Sequence, residues 1–295
     1  MTILRVNDLR GSPRYYWLKL TQSIFLLELL FYVTLAEGSS FRRMGMLDPV
    51  SGEDNQWWLP RFLKEASGIA VVDDQSILLH DDEVAVIYRL SLLDGSIETL
   101  GWLGSKDFEE DFEGIALDKS TVHLVTSTGF LYSAEVDLDA RNQELEFEAY
   151  DTGLESICEI EGLKFVEDKL LLPCKVPKHP DYKNDLVVFE FDTDSRRVGI
   201  RVVLPEGKFE GIEGPHATAI EVTEKNYFLI SGNHLLRVDK KTLSMEVFSL
   251  AKKRHYQPEG LGLMKDGSIV IVDDFRRGRS RITHYPEIDV LEKLN

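Results

Sequence analysis

The chain is poor in the features that mark most protein classes. Of its 295 residues only two are cysteines, Cys158 and Cys174, which is neither a disulfide framework nor a zinc pattern. Positive charge is scarce: 34 Lys and Arg stand against 51 Asp and Glu, a net charge of −17. A general nucleic-acid binder needs a positive field, so that class is excluded. The apolar run Ile24 to Ala36 has 13 residues, well short of the ~20 that span a membrane as a helix. There is no Asn-x-Ser/Thr acceptor, G-x-S-x-G elbow, H-E-x-x-H, P-loop or G-x-G-x-x-G, which removes the motif-defined hydrolases and nucleotide binders. Asp137-Leu138-Asp139 and Asp192-Thr193-Asp194 lack the Gly and distal Glu of an EF-hand loop.

What the chain does have is repetition. Five short stretches recur: Ser67-Gly68-Ile69-Ala70, Glu113-Gly114-Ile115-Ala116, Glu161-Gly162-Leu163-Lys164, Thr218-Ala219-Ile220-Glu221 and Glu259-Gly260-Leu261-Gly262. Their pitch is 46, 48, 57 and 41 residues, the size of a propeller blade. In the second copy, Glu113 to Asp118 is followed by the turn Lys119-Ser120, the β-branched run Val122 to Thr126, an alternating run from Phe130 to Asp137, and Leu145 to Tyr150. Four short strands with turns between them, repeated, predict an all-β fold: a β-propeller of five or six four-stranded blades, whose faces bury one another. The small Gly after each Glu suits the crowded centre, where backbones approach closely.

The Glu-Gly-Ile/Leu openings, the Glu65 to Ala70 start and the motif Pro258-Glu259-Gly260-Leu261 resemble the phytase-like β-propeller superfamily, and within it the SdiA-regulated family, over residues 60 to 290. That resemblance implies an acidic central channel, often holding calcium, and in the phytase branch phosphate-ester hydrolysis. Strictosidine synthase-like and gluconolactonase-like propellers share the Glu-Gly opening.

The propeller is expected over 61–295, after a connector over 41–60 rich in turn residues. Residues 1–40 carry Arg5, Arg10, Arg14 and Lys19 before the apolar run and end in small residues. They read as a signal peptide, hence a secreted or cell-envelope protein. The other reading is a segment packed on the propeller, in a chain that stays cytoplasmic. The cysteines lie on the two strands of one hairpin; folding it about Asp168 puts Cys174 opposite Gly162, so two buried thiols are expected, with a disulfide as the lesser alternative. The fourth blade departs from the pattern, with Thr218 where the others have Glu and with Glu210, Glu213 and His216 on the loop before it.

In an antiparallel blade the start of the first strand and the end of the second lie at the same edge. One face therefore collects Glu113, Glu161 and Glu259, expected metal ligands, with calcium the natural ion for oxygen donors. Around them the same face is expected to bring Glu213, His216, Lys175, Asp273, Asp274, Arg276, Arg277 and Arg279, a set suited to a small anionic ligand. A metal and arginines beside a phosphoryl group would make a phosphoesterase. The alternatives are a non-catalytic binding or scaffold propeller and a lactonase-like metal-dependent hydrolase. No nucleic-acid partner and no stable membrane span are expected, and a monomer is favoured.

Overall fold

A computed structural model describes residues 44–209, 216–274 and 278–287. The leader over 1–40, Glu210 and Glu213, Arg276 and Arg277, and the stretch beyond 287 lie outside the described residues.

The described chain forms five sheets, antiparallel but for one short outer strand, each built on a blade. Blade 1 comprises Ala66–Asp73, Ser76–Asp81, Val86–Ser91 and Ser96–Leu103. Blade 2 comprises Phe112–Asp118, Thr121–Thr126, Phe130–Glu135 and Glu148–Asp151. In blade 3, Lys164–Val166 leads to Lys169–Pro177, Leu186–Asp192 and Arg197–Leu204. Blade 4 comprises Ala217–Val222, Asn226–Ser231, His234–Asp239 and Met245–Ser249. Blade 5 takes Pro258–Leu263, Ile269–Asp273 and Arg281–Tyr285 from the end of the chain. Its fourth strand, Gln56–Trp58, comes from the beginning and pairs with Arg281–Tyr285. The inner strands touch in the cyclic order 1, 2, 3, 4, 5, 1, so the ring closes at five blades. The protein is an all-β, five-bladed β-propeller.

Burial explains the blade sequences. The second strands are almost wholly buried, as in Ser76–Asp81 and Asn226–Ser231, because both faces of a blade pack on neighbours. Apolar side chains pool in the gaps between sheets. Leu78 and Leu100 of blade 1 meet Ile115 and Leu124 of blade 2, and Leu171 and Val188 of blade 3 meet Leu229 and Leu236 of blade 4.

Three local expectations change. Residues 44–58, expected as a connector, supply the closing strand and a further strand, Met44–Met46, on the outer edge of blade 1. The outer part of blade 2 is split: Gln143–Leu145 pairs in parallel with Ser96–Leu103 of blade 1, and Glu148–Asp151 completes blade 2. Cys158 and Cys174 are joined in a disulfide with a Cα–Cα distance of 5.8 Å. The hairpin turns on Glu167 and Asp168, both at positive φ, and the ladder shifts register beside Ile160. Cys174 therefore faces Ile160 rather than Gly162, and Cys158 lies diagonally within reach.

Candidate functional site

The repeated motif is a β-bulge. In blade 1, Ala66 pairs with Asp81 and Gly68 with His80, leaving Ser67 out of the ladder. The same slip leaves out Glu113, Thr218 and Glu259. In blade 3, Glu161, Gly162 and Leu163 separate two short strands, Cys158–Ile160 and Lys164–Val166. A bulge bends the strand and re-aims the unpaired residue. Here it sets Ser67, Glu113, Glu161, Thr218 and Glu259 at corresponding positions around the ring.

Close backbone approach fixes the glycines that follow. A Cβ on Gly114 would lie 2.5 Å from the carbonyl carbon of Gly162. Gly162, at φ +79°, donates its N–H to the Glu113 carbonyl at 2.7 Å. A second set of bonds orders the loops behind the motif. Asp82, Ser127 and Asp274 donate backbone N–H groups to the carbonyls of Glu65, Asp111 and Gln257 at 2.9 to 3.0 Å.

The result is an acidic cluster on this face of the ring. Burial pushes the Glu113 carboxyl up to about 9, helped by the charge of Glu259, then of Asp111, with Lys175 opposing and Asp82 adding. Glu113 and Glu259 belong to non-adjacent blades, 2 and 5, and each lies in the inner strand of its blade. Burial also pushes Asp82 up to about 8, with Asp81, Glu65, Asp274 and Glu83 adding to it, and Asp81 up to about 6. The Lys175 ammonium forms an ion pair with buried Glu161. His216 donates from Nδ1 to the Lys175 carbonyl, and this holds the lysine-bearing strand against blade 4.

The structure thus brings Glu113, Glu259, Asp274 and Lys175 into one electrostatic cluster, with Glu161 joined to it through Lys175. Asp273 is set apart. It is fully buried, and its Oδ2 accepts from Nδ1 of His255 at 2.9 Å, while Tyr285 O–H donates to Nε2 at 2.5 Å. Arg279 donates to the Leu59 carbonyl at 2.7 Å and pairs with Asp48 at 2.6 Å. With Trp58, Arg61, Lys64 and Gly278 it lines a groove of about 510 Å³. Lys64 pairs with Glu65 at 2.7 Å and Glu83 at 3.2 Å, linking that groove to the acidic cluster. Glu65 and Asp111 were not singled out as site residues, although both precede a motif residue by two positions.

As donors, these oxygens suit a hard cation. Their spacing in this conformation is not a closed cage: among the described residues, no three His, Cys, Asp or Glu side chains gather tightly enough to hold one ion. The Glu113, Glu161, Glu259 trio is interrupted by Lys175, so a cation there would need that ion pair to open. Glu113 itself lies within the fields of Glu259, Asp111 and Asp82.

These features define a class: a five-bladed β-propeller with an acidic cluster on one face. No protein-family model matches the chain and no curated protein matches its sequence, so the phytase-like and SdiA-regulated resemblance rests on its short motifs. Among solved structures, the chain is similar to a PQQ-bound aldose sugar dehydrogenase from Streptomyces coelicolor. That match has 13% identity and a TM-score of 0.52, covering 82% of this chain and 97% of that one. It is also similar to a glutaminyl cyclase from Myxococcus xanthus, at 11% identity and a TM-score of 0.49 over 83% and 98%. At such identities the likeness speaks to the fold alone.

Proposed function

We propose that the protein is a ligand-binding β-propeller. Its acidic cluster takes up a divalent cation, calcium foremost, and holds a small anionic ligand beside it. The observation that carries this reading is the repeated bulge that sets Glu113, Glu161 and Glu259 at corresponding positions around the ring, where burial and the Glu259 charge push the Glu113 carboxyl up. A carboxyl raised in this way holds a proton that a bound cation can displace. Lys175 is the built-in competitor, releasing Glu161 when the ion enters. The anionic ligand fits the groove of Arg61, Lys64 and Arg279, where the Arg61 guanidinium offers paired donors and Arg279 and Lys64 are already held by Asp48, Glu65 and Glu83. Phosphate-ester hydrolysis is the enzymatic form of this reading, and a non-catalytic binding propeller is its alternative. The disulfide supports an oxidising compartment, and with it the export reading of residues 1–40.

The test is calcium binding by the full chain, measured by calorimetry at acid and alkaline pH, with Glu113→Gln and Glu259→Gln beside the wild type. Affinity should rise with pH, protons should be released on binding, and each Gln variant should weaken the site. Absence of calcium binding at alkaline pH would overturn the cation reading. An assay with an aryl phosphate in the calcium-loaded protein then separates the two forms: turnover that falls in Arg61→Ala and Arg279→Ala indicates an esterase, and no turnover a binding protein.

A further inference from the structure

A cavity of about 370 Å³ lies at the opposite face of the ring, in the seam between blades 5 and 1. Its position follows from topology. It is bordered by the turn between the first two strands of blade 1, at Asp74, by the corresponding turn of blade 5, at Asp266, and by the hairpin at Asp94. All three turns lie at the blade ends remote from Glu113 and Glu259. The cavity exists only where the closing segment meets the blades, because Leu47 and Trp57 form part of its wall.

Its lining has two distinct parts. One part is apolar: Trp57, Leu92, Val270 and Ile282, with Leu93 73% exposed, while Ser268 and His284 add polar atoms. The rim carries three carboxylates, each already hydrogen-bonded to backbone N–H groups. Asp74 accepts from Lys265 N at 2.9 Å, Asp94 from Ser96 N at 3.0 Å, and Asp266 from Ser268 N at 2.9 Å. These bonds, together with those of the Ser96 and Ser268 hydroxyls, hold Asp94 and Asp266 below the usual carboxylate range. Among the described residues, none of the three forms an ion pair with Lys or Arg. The nearby titratable side chain is His284, and burial lowers its pKa, which keeps it neutral near pH 7. An apolar pocket under a one-signed rim selects a ligand with an apolar body and the opposite charge.

We propose that this cavity binds a small organic amine, its ammonium among Asp74, Asp94 and Asp266 and its apolar body against Trp57, Leu92 and Ile282. The site is independent of the acidic cluster and of the cation assigned to it. An anion is disfavoured by the rim, and a neutral apolar molecule forgoes the three carboxylates. An aromatic amine gains most, since the Trp57 ring offers both a flat apolar surface and an electron-rich face.

The test uses the full chain with phenethylamine, 2-phenylethanol and phenylacetate as matched probes, followed by NMR or calorimetry. Phenethylamine should bind about tenfold or more tightly than the alcohol, and phenylacetate more weakly still. At about 0.5 M salt the amine's advantage should shrink, because exposed charges are screened. Asp74→Asn and Asp266→Asn keep a carbonyl oxygen for the turn N–H, so they remove charge without removing the turn bond. Each should weaken the amine about threefold, as expected for one exposed ion pair, and leave the alcohol unchanged. Glu113→Gln should leave all three probes unaffected. Equal affinity for amine and alcohol, indifference to both Asn substitutions, or no amine binding would overturn the proposal.

Discussion

Single side chains of the acidic cluster set a pH dependence whose sign can be worked out. Burial pushes the Glu113 carboxyl from its ordinary value of 4.5 up to about 9 and that of Asp82 from 3.8 up to about 8. A carboxyl with a raised folded pKa binds its proton more tightly in the native state than in the unfolded one. Stability therefore falls as pH rises from about the unfolded value towards the folded one. Glu113→Gln should leave the unfolding midpoint nearly unchanged at pH 4 to 5 and raise it by several degrees near pH 9, where each kcal/mol moves a chain of this size by about 2–4 °C. Thermal scans across that range check the sign, and a variant destabilised at pH 9 would contradict it. The buried His255 makes a second residue-scale case. Asp273 and Tyr285 satisfy both ring nitrogens at once, so Tyr285→Phe leaves Nε2 without its donor and should cost about 1–3 kcal/mol, read as a lower denaturation midpoint. The glutamates were legible in the sequence because each opens a repeat. The His255 partnership was not: Asp273 lies 18 residues and Tyr285 30 residues away, on strands whose pairing no local pattern encodes.

At the scale of elements, the bulged inner strand is the unit that repeats, and its glycine is the tightest point. A side chain at Gly114 meets backbone atoms of blade 3, including the Leu163 nitrogen at 2.7 Å, and backbone cannot swing aside as a flexible side chain would. Gly114→Ala should cost about 1–3 kcal/mol through overpacking and move the Glu113 carbonyl off its bond to Gly162. A midpoint unchanged in denaturant would show that the two blades can part without penalty. The disulfide belongs to this scale too. It closes a short loop, with 16 residues of separation, for which the chain-entropy account gives about 3 kcal/mol. Cys158→Ser with Cys174→Ser should lower the midpoint accordingly, and thiol titration of the unfolded wild type without reductant should find no free thiol. Blade strands could be read from apolar runs and turn residues. The cysteine pairing could not, because one register shift beside Ile160 separates a diagonal pair from the pairing that simple reflection about Asp168 gives. Gln143–Leu145 was missed for a related reason: three residues are too few to show a period, and they pair with a different blade.

For the whole molecule, the decisive feature is that blade 5 is assembled from both ends of the propeller sequence. Five motif copies made five blades legible, but the closure was not, because Gln56–Trp58 is only three residues long and follows a turn-rich stretch. Its importance lies in what it joins. Gln56 is buried, and its side-chain amide donates to the Arg254 carbonyl and to the Thr283 hydroxyl, both at 2.8 Å. Arg281 lies over the Trp58 ring at 5.3 Å. Leu59 donates its N–H to the Ser280 carbonyl at 2.8 Å, and Arg279 returns a bond to the Leu59 carbonyl. One short strand thus ties residues that precede blade 1 to blade 5 through hydrogen bonds over about two hundred residues of sequence, and it covers the edge of Arg281–Tyr285. Without it, that strand presents a row of unpaired backbone groups, a template for pairing with another chain. A chain lacking residues 44–58 should therefore unfold at a markedly lower midpoint and self-associate, seen by size-exclusion chromatography with light scattering. It should also lose the amine site at the seam while its remaining blades keep their β-sheet circular-dichroism signal. Gln56→Ala, which keeps the strand and removes only its buried amide, should show a smaller loss in the same direction, about 1–3 kcal/mol for the partners left unsatisfied. A truncated chain that stays monomeric with an unchanged midpoint would mean that the four complete blades and the three remaining strands of blade 5 hold the ring without its closing strand.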